Sequence, residues 1–204
     1  MNKYDKTKLF IKENSGIYFT EDFKDNNIDK YYIQKLIDEG IIERHQKGVY
    51  LRNDVFEDEL YILQRKNPTI IYSYETAIYL HNLSERTPID FDVTVYSGYN
   101  TFRLPEKLNV HFIKKENHHL GAIKLLTPQG FEVITYDLER TTCDIIRSNK
   151  SSIDKEQANK FIRKVFLEHK INTIKLIDYA KQLNCEKKVR QVMEVLIWSQ
   201  MHNH

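Results

Sequence analysis

Apolar positions recur along this chain at two different periods, and the changes of period divide it into elements. From Ile28 the apolar residues fall at Tyr32, Ile33, Leu36 and Ile37, the stripe of a helix lying on a core. Asn27 or Asp29 can cap its start, and Gly40 can end it in the left-handed conformation. The next residues read as a hairpin: Ile41 to Arg44, a turn at His45-Gln46-Lys47-Gly48, then Val49-Tyr50-Leu51. Upstream, residues 3–14 predict a helix with Tyr4, Leu9, Phe10 and Ile11 inward. Ser15-Gly16 breaks it, Ile17-Tyr18-Phe19 is a short β-like run, and Thr20 caps a second helix through Asp25. Helix, strand, helix, turn, helix, hairpin is the order of a winged helix-turn-helix, predicted over residues 1–53.

Residues 54–204 follow a different plan. Asp54 to Asn67 predicts a helix with Val55, Phe56, Leu60 and Leu63 inward, closed by Pro68. Thr69 to Tyr72 is a short apolar run, and Ser73 can cap a helix from Tyr74 to Asn82. Beyond Pro88, Phe91, Val93 and Val95 alternate with Asp90, Asp92, Thr94 and Tyr96, the signal of a half-buried strand. Val110–Ile113, Ile123–Leu126 and Phe131–Ile134 add three strands, the last two joined by the turn Thr127-Pro128-Gln129-Gly130. Helices are predicted at Leu138–Arg147, Asp154–His169, Thr173–Leu183 and Glu186–Met201. The expected class is α+β: a winged helix-turn-helix, then a C-terminal domain with a small, mostly antiparallel sheet and a terminal helical bundle.

Charge changes the picture more by its distribution than by its total of +2. Residues 1–53 carry a net +1, residues 54–146 a net −5 and residues 147–190 a net +7. A basic segment behind an acidic centre suits an anionic partner, either DNA or an acidic protein face; the bland alternative is a set of solvated helix faces. No apolar run approaches the roughly 18 residues of a membrane span, and Met1-Asn2-Lys3-Tyr4-Asp5 opens no signal peptide, so a soluble cytoplasmic protein is expected. Cys143 and Cys185 have no CxxC spacing and read as small buried hydrophobes.

On the predicted third helix, Lys30, Tyr31, Gln34 and Lys35 lie opposite the apolar stripe, and Arg44 and Lys47 flank the hairpin turn. These side chains suit phosphates and base edges in a major groove. Catalytic chemistry is not indicated. Asp90 and Asp92 have no Glu-x-Lys on an adjacent strand, His118-His119 and His202-Asn203-His204 have no ligand spaced to complete a metal site, and phosphate loops and nucleophile elbows are missing. No cofactor is expected. His81 reads as a structural side chain, and Arg140 with Asp144 as an i,i+4 ion pair.

The order of the winged helix, Gly48-Val49-Tyr50, the segment Pro68, Ser73, Thr76-Ala77 and Leu80-His81-Asn82-Leu83, then Pro88 and Asp92-Val93-Thr94-Val95, resembles the AbiEi-type antitoxins. Leu138-Glu139-Arg140-Thr141-Thr142-Cys143-Asp144 looks like that family's ERT…D segment. The resemblance runs from about Leu9 to Trp198. It implies an antitoxin of a phage-defence toxin–antitoxin system, whose winged helix binds inverted repeats upstream of its own operon as an autorepressor. It also implies a C-terminal domain that neutralises a nucleotidyltransferase-like toxin. Arg140, Asp144, Lys160, Arg163 and Lys164 are the candidate toxin-facing residues. With no heptad seam in the chain, a monomer in solution is expected, two copies meeting on DNA. A winged-helix module that docks a protein instead of DNA, or a transcriptional regulator without antitoxin activity, is the alternative.

Overall fold

The computed structural model describes residues 2–84, 86–148, 153–168 and 171–201, with side chains described as far as residue 196. His169, Lys170 and His202-Asn203-His204 lie outside the described residues. The chain is a mixed α+β protein that packs as two compact units: residues 1–63 with 129–131, and residues 64–128 with 132–204.

The first unit runs α1 (Lys3–Glu13), β1 (Ile17–Phe19), α2 (Thr20–Asp25), α3 (Lys30–Asp38), β2 (Ile42–Gln46) and β3 (Val49–Arg52). The strands form an antiparallel sheet in the order β1-β3-β2. Strand β1 is buried on both faces because its side chains alternate between two clusters. Tyr18 joins Ile11, Phe23, Ile28, Ile33, Leu36 and Ile42, while Ile17 and Phe19 join Val49, Leu51, Ile62 and Phe131. On α1 the buried pair is Thr7 and Ile11, one turn apart, and Leu9, expected inward, is exposed on the other side.

Two turns set the angle of α3. Asn27 (φ 55°) closes α2, donating its N–H to the Lys24 carbonyl while Ile28 donates to Phe23. Gly40 (φ 67°) closes α3 in the same way, with bonds from Gly40 to Ile37 and from Ile41 to Leu36. Asn27 therefore ends α2 and does not cap α3. Asp29 stands at the N-cap without a side-chain cap bond and pairs with Lys3 at 2.6 Å.

Helix α4 (Glu59–Lys66) starts later than expected, at a cap where Asp58 accepts the Tyr61 N–H. Phe56, expected inward, precedes the helix and is 88% exposed. The second unit continues with β4 (Ile71–Tyr72), α5 (Tyr74–Leu80), β5 (Phe91–Tyr96), β6 (Leu108–Ile113), β7 (Ala122–Leu126), β8 (Glu132–Tyr136), then α6 (Leu138–Arg147), α7 (Lys155–Leu167), α8 (Thr173–Gln182) and α9 (Glu186–Met201).

The five strands are ordered β6-β5-β4-β8-β7. The sheet is mixed where a mostly antiparallel one was expected. Residues 97–107 return the chain so that β6 runs parallel to β5, and β8 runs parallel to β4. Only β4–β5 and the β7–β8 hairpin are antiparallel. Strand β5, expected half-buried, is covered on both faces, with Asp92 and Thr94 as buried as Val93 and Val95. Buried Gln64 acts as a stand-in for a missing strand partner, donating to the Ile70 and Ile134 carbonyls and accepting the Ile134 N–H.

The terminal helices bury Phe161, Ile162 and Val165 of α7 against Tyr74, Ile78 and Ile145, and Leu176 and Ala180 of α8 against Ile113 and Val189. Cys143 and Cys185 share the second cluster. Ile174 of α8 is exposed. Among the described residues, no helix is long and apolar enough to cross a membrane.

Candidate nucleic-acid interface

Helix α3 is anchored by one face. Ile33 and Leu36 are buried, Tyr32 and Ile37 pack beside them, and the opposite face is open. Lys30, Tyr31 and Gln34 all lie on that open face, with Tyr31 69% exposed and edge-on to Tyr32 at 5.3 Å. Arg44 and Lys47 are exposed on the β2–β3 hairpin, whose turn is closed by Gly48 at φ 77°. Of the six predicted DNA-facing residues, five are exposed on one helix face and one hairpin of the same unit.

Lys35 is the exception. It is half-buried and carries its ammonium back over the Tyr4 ring of α1, 4.1 Å from the centroid, a cation–π contact inside the unit. Tyr4 also stacks on Tyr32 at 5.8 Å. The sequence pattern cannot show this, because whether a residue flanking the apolar stripe meets a neighbouring helix depends on that helix's position.

Helix α1 also manages the acids around α3. Lys3 pairs with Asp29 at one end of the helix and Lys8 with Glu39 at 2.7 Å at the other. The Lys8 ammonium, with the Tyr4 hydroxyl second, holds the Glu39 carboxyl below its ordinary range. Among the described residues, Lys30, Arg44 and Lys47 have no such ion-pair partner. Within the small net charge of residues 1–53, Asp29 and Glu39 are thus paired at the helix ends while Lys30, Arg44 and Lys47 are exposed. One further acid, Asp38, is exposed on α3 and accepts a 2.9 Å hydrogen bond from Gln34 Nε2. This pair went unread in the sequence, although its i,i+4 spacing is a visible signal.

The second group of predicted residues divides. Arg140 and Asp144 do form an ion pair, at 2.9 Å, but both are buried, Arg140 being 0% exposed. They are an internal tie and are not presented to a partner. Arg140 Nη1 donates to the carbonyls of Asn117 and Leu120 at 2.8 and 2.7 Å, and its guanidinium lies 4.1 Å over the Tyr136 ring. Gly121 permits this approach: a Cβ there would sit 2.6 Å from Arg140 Cβ, and its φ of 78° is one that L side chains rarely adopt.

The rest of the ERT…D segment is equally internal. Glu139 accepts the Asn172 N–H at 2.8 Å, at the start of α8. Asp137, capping α6, pairs with Lys175 at 2.9 Å, and that bond raises the lysine above its ordinary range. Lys175 is half-buried between Asp137 and Glu139. His81 Nε2 lies 2.9 Å from the Tyr136 carbonyl, which can only accept, so this nitrogen carries the proton.

Lys160, Arg163 and Lys164 are exposed on α7, opposite its buried Phe161, Ile162 and Val165. Lys160 pairs with Glu156 at 2.7 Å. Lys160 and Lys164 also line a cleft of about 350 Å³ with Glu75, Arg86 and Asp154 over a floor of Ile78 and Phe161. Burial, then the nearby Asp92 and Asp154, pushes the Glu75 carboxyl above its usual range.

A polar cluster beside α5 brings together a histidine, a carboxylate and a phenol. His111 Nε2 meets Asp92 Oδ1 at 2.7 Å and stacks on Tyr74 at 3.9 Å. Tyr74 has φ 45°, strained for an aromatic residue, and burial, with Asp144 adding, pushes its phenol up to about 12. Asp92 is 0% exposed and Tyr74 is buried too, so the cluster clamps β5, β6 and α5 together. Comparison with protein-family models finds none that matches the chain, and comparison with curated proteins finds no match either.

Proposed function

We propose that the first unit is a winged helix-turn-helix that binds double-stranded DNA, with α3 in the major groove and the β2–β3 hairpin as its wing. The observation that carries this reading is the open face of α3. Lys30, Tyr31 and Gln34 are exposed there while the opposite face is locked into a core, and Arg44 and Lys47 extend the surface onto the hairpin. Together with the resemblance to AbiEi-type antitoxins, it makes the chain an autorepressing antitoxin, monomeric in solution and placing two copies on inverted repeats. The second unit then neutralises a nucleotidyltransferase-like toxin, with Lys160, Arg163 and Lys164 of α7 as its contact surface.

A mobility-shift titration against the DNA upstream of the gene, repeated over a range of salt, tests the first part. Tyr31→Ala or Gln34→Ala should weaken specific binding by about 1–3 kcal/mol. Lys47→Ala should weaken all sequences alike and flatten the log–log salt slope by about 0.9. Unaltered shifts in the Tyr31/Gln34 double variant would sink the assignment. Charge reversal at Lys160, Arg163 and Lys164 should abolish rescue from toxicity and leave repression intact; normal rescue would make α7 a solvated face only.

A protein-docking role for the first unit is the second reading, favoured by the net charge of only +1 over residues 1–53. Flat salt dependence with no DNA shift would select it.

A further inference from the structure

Gln34 and Asp38 stand one turn apart on the open face of α3, and their 2.9 Å bond fixes more than a rotamer. A carboxylate only accepts, so the Gln34 amide must turn its NH2 group toward Asp38. One Nε2 hydrogen is then committed. The other hydrogen and both lone pairs of Oε1 have no partner among the described residues, on a face whose neighbours Lys30 and Tyr31 are also exposed.

An amide held this way has one donor and one acceptor to offer. That pair matches adenine, whose N7 accepts and whose N6 amino group donates in the major groove. Guanine presents two acceptors there, O6 and N7, and would need both Nε2 hydrogens. The Asp38 carboxylate adds a second bias, since it repels the guanine oxygen and attracts amino groups.

We propose that Asp38 is a positioning residue for base recognition, holding Gln34 so that α3 selects adenine over guanine at the base pair facing it. The inference rests on the DNA-binding reading of α3. Asp38 is also an anion beside the phosphate backbone, so it lowers affinity for DNA in general while sharpening choice. The two effects have opposite signs under one substitution, which a purely structural role would not produce.

Selection of binding sites from a random-sequence duplex library, by the full chain and its variants, reads both. The wild-type protein should enrich a motif containing an adenine column with on the order of tenfold preference over guanine. Asp38→Asn should reduce that preference to near unity, because an amide can donate to Gln34 and release its orientation, and should raise affinity for unselected DNA several-fold. Gln34→Ala should flatten the same column, and Asp38→Glu, which can still accept, should restore it.

An adenine column that survives Asp38→Asn unchanged overturns the role of Asp38 while leaving DNA binding intact. A motif that loses no column on Gln34→Ala overturns the assignment of Gln34 as the reader. Failure of the wild-type chain to bind any duplex overturns the DNA reading itself, and the inference with it.

Discussion

Helices α3 and α6 use nearly the same alphabet to opposite ends. Both mix Lys or Arg, Asp and apolar residues at helical spacing, and both carry an i,i+4 polar pair, Gln34–Asp38 in one and Arg140–Asp144 in the other. In α3 the pair stands in solvent. In α6, Glu139 to Ile145 are all buried. A salt bridge on an exposed helix is worth a few tenths of a kcal/mol, whereas one partner of a buried pair is costly to remove because the other charge is left uncompensated. A polar pattern alone therefore does not distinguish a recognition surface from an internal tie; what covers it does.

The sharpest way to break the comparison is Arg140→Ala. It leaves Asp144 buried with Arg147 as its remaining ionic partner, removes the donor to the Leu120 carbonyl, and leaves the Asn117 carbonyl with the Leu120 N–H at 3.3 Å. A loss of about 3–5 kcal/mol is expected, measured by denaturant unfolding. Arg140→Lys should recover little, since a single ammonium cannot span Asp144 and both carbonyls. A cost under 1 kcal/mol would mean the network is not the tie described.

Gly121→Ala attacks the same tie from the other side. The added methyl meets Arg140 Cβ and forces a positive φ, so about 2–4 kcal/mol should be lost, and Gly121→Asn should suffer as well because its Cβ meets the same atom.

The histidines of the second unit give a smaller effect, graded by pH. Burial lowers the pKa of His81 and His118, against the hydrogen bonds to the Tyr136 and Thr94 carbonyls that raise it. Their folded values lie below the unfolded value near 6.5, so above that pH they have no linkage effect. As pH falls below it, the unfolded chain takes up protons first and stability declines until the folded values are reached. The slope is at most about 1.4 kcal/mol per pH unit for each histidine. Thermal melts from pH 7.5 to 5 should show this decline, shallower in His81→Gln. A Tm flat over that range contradicts it.

The smallest effect falls on α3. Lys30→Ala and Gln34→Ala should each change stability by no more than about 0.5 kcal/mol while altering DNA binding. The same melts, run beside the mobility shifts, separate the two kinds of helix. Variants that unfold the protein at α3 would place its polar face in a core after all.

Much of this was legible along the chain. The boundaries of α6 are those predicted, and α8 and α9 lie within a residue of theirs; Asp137 and Asn172 cap the starts of α6 and α8, and Asn184 at φ 55° separates α8 from α9. The α3–hairpin succession follows from Gly40 and Gly48, which supply positive φ where the backbone must reverse. Lys30, Tyr31 and Gln34 were readable as exposed because a stripe of Ile33 and Leu36 dictates which side of α3 is left over.

What the sequence by itself determined, then, is local: periods, caps and turns, each set by residues within about five positions of one another. Tertiary structure alone decided the rest. The parallel register of β5 with β6, the cover on both faces of β5, the turn of Lys35 toward Tyr4 and the burial of Arg140 all depend on partners distant in the sequence. Arg140 meets Leu120 across 20 residues and Glu139 meets Asn172 across 33. The physical reason is that a helix presents the same charged side chain whether water or protein lies beyond it. Burial is a property of the neighbour, and no period in the chain records which neighbour folding will bring.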